Sequence, residues 1–302
     1  MGRFAHRLLE WLGRWLGATI VFICVMGSGC ERACLTRQEQ QLGERALFEA
    51  AELVRVCPRR VAGEQSADAA AWIASRLPSC EVRKQTFQTP YGVMTNVVAW
   101  RSRILERKAP VLVLASHYDT KYGIADFVGA NDGASTVGLL IALVEMTELP
   151  IVVLFLDGEE CRQRYSEEDG LHGAWFAAKK GLSELGWASK SGLPVLVLDM
   201  LGDRGFTPGV AENGTLYLKQ VIRQAAKGIG VSLSEFGVVV DDHVPFLAQQ
   251  WQAADLIDFE YGPENAWWHT TEDTVDKLSA ESLARGAALI LRVVECLEQV
   301  NR

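Results

Sequence analysis

The sequence predicts an α/β domain in which a mixed, mainly parallel sheet is covered by helices on both faces, a three-layer sandwich. Three observations predict it. The runs VLVLAS (111–116), IVVLFL (151–156) and VLVLDM (195–200) are continuously apolar over strand length, as strands buried on both sides are. Helix-period segments separate them, and strand–helix alternation implies parallel neighbours. No repeat, low-complexity stretch or Pro/Gly/Ser-rich linker divides the 302 residues, so a single domain over 31–302 is expected behind a distinct segment 1–30.

Taken in order, Thr36 to Glu39 reads as a capping box, in which a side-chain oxygen and a carboxylate reciprocally satisfy the first helical N–H groups. The helix it starts runs to about Val56, buries Leu42, Ala46, Leu47, Ala50, Leu53 and Val54, and is stopped by Pro58. A second helix covers Ala67–Leu77. Strands follow at Glu81–Phe87, Met94–Trp100 and Val111–Ser116. The alternation then reads helix Gly133–Met146, strand Ile151–Leu156, helix Leu171–Lys180, strand Val195–Met200, helix Leu216–Gly228, strand Phe236–Val240, a short helix Val244–Gln250, strand Leu256–Phe259 and a closing helix Ala280–Gln299.

The formal charge is −8 and 49% of residues are hydrophobic. That composition builds a core and excludes disorder, and an acidic chain with no basic block excludes a nucleic-acid grip by bulk charge. In segment 1–30, Arg3, Arg7 and Arg14 precede an apolar run, Leu16–Met26, too short for a membrane span, and then small residues and Cys30. This is the pattern of a secretory signal, and it also resembles a lipoprotein box with Cys30 as the lipidated residue. An uncleaved anchor and a soluble amphipathic helix are the alternatives; all but the last imply an extracytoplasmic, secreted, periplasmic or membrane-attached protein. Cys34, Cys57, Cys80, Cys161 and Cys296 follow without CxxC spacing and read as free thiols, a Cys57–Cys80 bridge being the alternative. Asn213-Gly-Thr215 matches a glycosylation sequon but reads as a turn.

Open α/β sheets bind ligands at the carboxyl ends of their strands. His117 and Asp119 stand there after VLVLAS, Glu159 and Glu160 after IVVLFLD, and Asp199 after VLVL; Asp132 opens a helix, and His269 lies before the last one. Imidazoles and carboxylates at such positions suit zinc. Singly, each has a plainer reading: Asp132 as an N-cap, Glu159-Glu160 as a solvated turn, His269 as a hydrogen-bonded structural residue. Asp199 is harder to explain that way, because an unpaired buried carboxylate is costly.

The segments SHYDTKYG, FVGANDGAS, FLDGEE, VLDMLGD, DDHVPF and WWHTTEDTVDKL, with CPRRVAGEQSADAAAWIASRL before them, resemble in content and order those of the zinc exopeptidase family of aminopeptidases and glutaminyl-peptide cyclotransferases. The resemblance implies that Asp132, Glu160 and His269 hold one zinc, and that in two-metal aminopeptidases Asp132 bridges to a second zinc on His117 and Asp199. It implies Glu159 as general base, Asp119 as the carboxylate orienting His117, and Asp241 in a proton relay with Glu159 and Asp199. It also implies Trp268 as a wall of the substrate pocket, with Tyr165 standing where animal cyclases carry a Trp and Asp255 where they carry a His. The substrates implied are peptide or protein N-termini. DDHVPF and Trp268 lean to the cyclase branch, with one zinc, cyclising N-terminal Gln with loss of ammonia. A zinc aminopeptidase with up to two zinc ions is the alternative, and a non-catalytic binding ectodomain is a third, disfavoured because every ligand is retained. For Asp241-Asp242, a cap on the helix near Val244 is the plainer reading, and for Trp267-Trp268 it is loop packing.

Overall fold

Eight strands form one sheet in the order β1-β2-β4-β3-β5-β8-β6-β7 in the computed structural model, which describes residues 34–58, 60–61, 66–166, 168–188 and 192–300. The signal, lipoprotein or anchor reading of residues 1–30 and Cys30 lies outside the described residues. Those residues fall within one compact unit, Ala33–Arg302. Among them, no helix is long and apolar enough to cross a membrane.

Helix α1 (Arg37–Val56) starts at the expected capping box: Thr36 Oγ1 accepts from Glu39 N at 3.2 Å, and Thr36 N donates to Glu39 Oε2 at 2.6 Å. Its buried face is the one the periodicity marks, with Leu47 and Val54 at its edges. One acid, Glu49, is buried on it and receives a bidentate pair of hydrogen bonds from Arg76 (2.8 and 2.7 Å), with Arg45 alongside. Helix α2 (Ser66–Ser75) leads to a hairpin, β1 (Glu81–Thr89) and β2 (Gly92–Trp100), then α3 (Ser102–Leu105) and β3 (Leu112–His117). Helix α4 (Thr136–Met146), β4 (Ile151–Leu156), α5 (His172–Phe176, prolonged by a π-turn Ala177–Gly181), β5 (Val195–Asp199), β6 (Gly209–Ala211), α6 (Leu216–Gly228), β7 (Ser234–Phe236), α7 (His243–Ala248), β8 (Ala253–Ile257) and α8 (Ala280–Val300) follow.

β4, β3, β5 and β8 are mutually parallel; β2 and β6 run antiparallel to them, β1 pairs antiparallel with β2, and β7 pairs parallel with β6. The alternating side chains of the strands divide the core. Leu112 and Leu114 of β3 pack with α1, α4, α6 and α8, while Val113 and Ala115 pack toward α5 and α7. The chain leaves β3 to add β4 on one side and later β5 on the other. This reversal opens a crevice beyond the carboxyl ends of the strands.

The departures from the expected elements cluster near that crevice. The strand expected over Phe236–Val240 is only Ser234–Phe236. Beyond it the side chain of Asn213 takes both main-chain groups of Val239, donating to its carbonyl (2.8 Å) and accepting from its N–H (3.1 Å), which leaves none for a ladder. The sequon asparagine is therefore a turn clamp. The strand expected at Leu256–Phe259 sits at Ala253–Ile257, and β6 was not expected at all. Helix α4 begins at Thr136, not Gly133, because Asp132 and Gly133 are non-helical. α5 begins at His172 because Gly170 and Leu171 take left-handed conformations. Among the described residues the cysteines are free, so no Cys57–Cys80 bridge forms.

His243, the first residue of α7, is fully buried, and neither ring nitrogen has a hydrogen-bond partner. Burial drives its pKa down to about 4. The folded state thus refuses a proton that the unfolded chain accepts below its ordinary value near 6.5, so stability falls as pH drops from that value toward 4. Relative to His243→Leu, the native chain is expected to lose about 2 kcal/mol between pH 7 and pH 5, measured by urea unfolding. Parallel pH profiles for the two proteins would refute it.

Candidate active site

Each candidate residue is delivered by the end of a strand or by a conformation an ordinary helix or strand cannot supply. His117 ends β3 and Asp199 ends β5. Glu159 and Glu160 follow β4 and are nearly inaccessible, 6% and 5% exposed, which rules out a solvated turn. Asp132 precedes α4 by four residues and makes no cap; it lies in a non-helical turn closed by Gly133 at φ 96°. A Cβ on Gly133 would stand 3.1 Å from His117 Cε1, so glycine serves both the left-handed conformation and the close approach of turn to imidazole. His269 itself is left-handed, at φ 53°. Such strain persists only where the surroundings hold it: the ring stacks on Trp268 (centroids 4.1 Å apart) and meets the edge of Phe127.

These residues converge in two sets that share Asp132. His117, Asp132 and Asp199 present ligand atoms within 4.8 Å of one another, and so do Asp132, Glu160 and His269. His117 Nε2 is 3.1 Å from Asp132 Oδ1 and 3.4 Å from Asp199 Oδ1. His269 Nε2 is 3.2 Å from Asp132 Oδ2 and 3.1 Å from Glu160 Oε1. Asp132 Oδ2 and Asp199 Oδ1 are buried and accept no hydrogen bond. Asp132 Oδ2 faces His269 and Asp199 Oδ1 faces His117, so each set holds a carboxylate oxygen unused by any donor; such lone pairs fit a divalent cation, and carboxylate and imidazole donors suit zinc. The electrostatics agree. Burial alone would raise Asp132, but the imidazoles of His117 and His269 hold it well below the carboxylate range. Burial would lower His269, yet Asp132 and Glu160 lift it to about 9. The cluster is built to hold positive charge.

Glu159 faces the cleft beside this cluster. Burial, then the neighbouring Glu160, push its carboxyl well above the usual range. Tyr165 donates to Glu159 Oε1 at 2.9 Å. The cleft measures about 270 Å³ and is walled by Tyr165, Ile257, Phe259, Trp268 and the loop Val238–Val240. Trp268 thus lines it, whereas Trp267 points away and packs on Tyr261. Asp241 lines it too, 4% exposed, its carboxyl raised to about 7 by burial and by Asp199. Neither Asp241 nor Asp242 caps α7 with its side chain. Among the described residues, no hydrogen bond links Asp241 to Asp199 or Glu159, so their coupling is electrostatic. Asp255 is fully buried on β8, outside the cleft wall, with neither oxygen hydrogen-bonded.

Asp119 makes contacts beyond the expected one with His117. Its carboxylate accepts the main-chain N–H groups of Glu159 (3.0 Å) and Glu160 (3.2 Å), while His117 Nδ1 stands 3.6 Å away, beyond a hydrogen bond. It sets the backbone of the glutamate pair and also faces the imidazole: burial would lower His117, and Asp119 is first among the carboxylates that raise it well above its ordinary value. Three further residues escaped the sequence reading. Lys121 donates to Glu160 Oε2 at 2.8 Å; the SHYDTKYG segment contained it without marking it. Asp273 accepts from the N–H groups of Asn131 (2.7 Å) and Asp132 (3.1 Å) and from the Tyr261 hydroxyl (2.6 Å), so it fixes the turn that carries the shared ligand. Arg60 is buried behind the same turn, and nothing local marks it.

Comparisons with known proteins bear on the family and the fold. A family model described as peptidase family M28 covers residues 96–294. The chain is 28% identical over 236 residues to a glutaminyl-peptide cyclotransferase of Drosophila melanogaster, covering 66% of this chain and 63% of that protein. It is 28% identical over 243 residues to the glutaminyl-peptide cyclotransferase of Bos taurus, covering 65% and 64%. The alignments thus span under two thirds of the length of these curated relatives. Among solved structures, an Acidobacteriales bacterium glutaminyl cyclase superposes with a TM-score of 0.73 at 30% identity, covering 91% of this chain and 99% of that one. A leucine aminopeptidase precursor from Bacteroides thetaiotaomicron VPI-5482 has a TM-score of 0.68 at 20% identity over 83% and 96%, a likeness of fold alone. A match over residues 96–294, spanning every candidate ligand, means that this chain belongs to peptidase family M28.

Proposed function

We propose that this protein is a glutaminyl-peptide cyclotransferase, converting an N-terminal Gln of a peptide or protein to pyroglutamate with release of ammonia. The observation that carries the reading is the 30% identity to a solved glutaminyl cyclase over 99% of that chain. The cleft is consistent with it: a small tryptophan-walled space in which the raised carboxyl of Glu159 stands beside the ligand set. Asp132, Glu160 and His269 would hold a zinc ion, which when bound polarises the side-chain amide carbonyl of the substrate. The α-amine attacks the amide carbon, forming the ring C–N bond. Glu159 takes the proton the amine loses and returns it to the departing nitrogen, which leaves as ammonia. Tyr165 holds the Glu159 carboxyl in place, and the close walls keep the Gln side chain folded toward its own amine, where intramolecular attack gains most.

The second set, His117–Asp132–Asp199, favours one other reading: a zinc aminopeptidase with a second metal there. The two are separated by incubating the zinc-loaded protein with a Gln-initiated peptide and with an ordinary peptide. Ammonia release and a mass loss of one ammonia from the first are expected, with the second unchanged. Free amino acids from the second, with the Gln peptide intact, would favour the aminopeptidase.

A further inference from the structure

Arg60 is among the largest fully buried side chains of the protein. Among the described residues, no carboxylate forms an ion pair with it. Its three arms go instead to main-chain carbonyls of three separate segments. Nε donates to Tyr118 O at 2.7 Å, Nη1 to Cys57 O at 3.0 Å and Nη2 to Gly129 O at 2.9 Å. The backbone adds a reciprocal pair: Arg60 N donates to Thr120 Oγ1 at 3.0 Å, and Thr120 N donates to Arg60 O at 3.1 Å.

Where those carbonyls sit gives the side chain its meaning. Cys57 caps the end of α1. Tyr118 lies between His117, a ligand candidate, and Asp119, which holds the backbone of Glu159 and Glu160. Gly129, left-handed at φ 54°, lies three residues before Asp132, the ligand common to both sets. A single guanidinium therefore ties the loop after β3 to the turn before α4. Burial lowers the pKa of the guanidinium to about 10, and the field of Asp273, Asp119 and Asp132 offsets part of that cost without pairing it, so the acids keep their oxygens for other work. Burying a guanidinium is costly unless its donors are used. Here they are used on backbone, in the forked geometry that a lysine cannot copy.

We infer that Arg60 is a positioning residue, whose guanidinium sets the separation of the His117–Asp119 loop from the Gly129–Asp132 turn and with it the geometry of the ligand set. The inference rests on the metal-dependent reading above and is tested on the full chain with zinc as the probe. Arg60→Lys keeps the charge and reaches only one carbonyl; Arg60→Met keeps the bulk alone. Arg60→Lys is expected to fold, with a native circular dichroism spectrum. Zinc release from it to a chelator is expected to be about tenfold faster, kcat for cyclisation about tenfold lower and KM within about twofold, as for other outer partners of metal ligands. Arg60→Met is expected to show larger changes in the same quantities. A merely structural arginine would lower the melting temperature and leave zinc release and kcat unchanged below it, and that result would overturn the inference. So would the failure of both variants to fold, since Arg60 would then determine the fold rather than the site. If the native chain cyclises nothing, the functional reading fails, and the zinc-release comparison still decides the role of Arg60.

Discussion

Replacing Glu159 by Gln is expected to lower kcat for cyclisation by about 10²–10⁴-fold while leaving zinc stoichiometry unchanged. The asymmetry follows from where the two adjacent glutamates point. Glu160 lies in the ligand set, its Oε1 3.1 Å from His269 Nε2 and its Oε2 held by Lys121. Glu159 takes part in neither set and turns toward the cleft, its Oε1 held by Tyr165. Gln preserves the size of the side chain and an oxygen for the tyrosine, but it cannot take a proton from an amine near neutral pH. The backbone of the pair is held independently by Asp119, so the substitution leaves Glu160 in position. Elemental analysis and steady-state kinetics on one preparation check both halves. Zinc lost together with activity would mean that base and ligand had been exchanged. Full activity would remove Glu159 from the chemistry.

What could be read in the sequence and what could not differ in range. The strands are apolar on both faces, and an acid or imidazole that ends such a run is conspicuous; this marks His117, Glu159, Glu160 and Asp199 in the sequence itself. The capping box exposed the start of α1 because it closes within three residues. Illegible were the interactions made across the fold. Asp119, marked beside His117, gives no local sign that it reaches the Glu159 and Glu160 amides forty residues away, and Asp273, which reaches Asp132 across more than a hundred, reads locally as a polar loop residue. The valines of 237–240 have strand propensity, and only Asn213, twenty-six residues earlier, takes the hydrogen bonds that would have paired Val239. Propensity lost there to a side-chain clamp, and the freed loop became a wall of the cleft.

The largest expected loss of metal comes from Asp132→Asn. Asp132 is the one residue in both ligand sets, with Oδ1 3.1 Å from His117 Nε2 and Oδ2 3.2 Å from His269 Nε2. The substitution keeps shape and the N–H bonds to Asp273, but it removes the charge that faces both imidazoles and offers a cation one carbonyl oxygen in place of two carboxylate oxygens. Zinc affinity should fall by more than the about 10–100-fold typical of losing an outer partner, whether the protein binds one ion or two. A linked effect follows. A metal bound only by the folded state stabilises it by about 2.7 kcal/mol at a hundredfold excess over its dissociation constant. The native protein should therefore melt at a higher temperature in zinc than in chelator, and Asp132→Asn should melt alike in both. A zinc-dependent shift retained in full by Asp132→Asn would show that the ion binds elsewhere. A shift lost by Asp132→Asn but kept by His117→Ala would assign the ion to the Asp132–Glu160–His269 set, the outcome the cyclase reading requires.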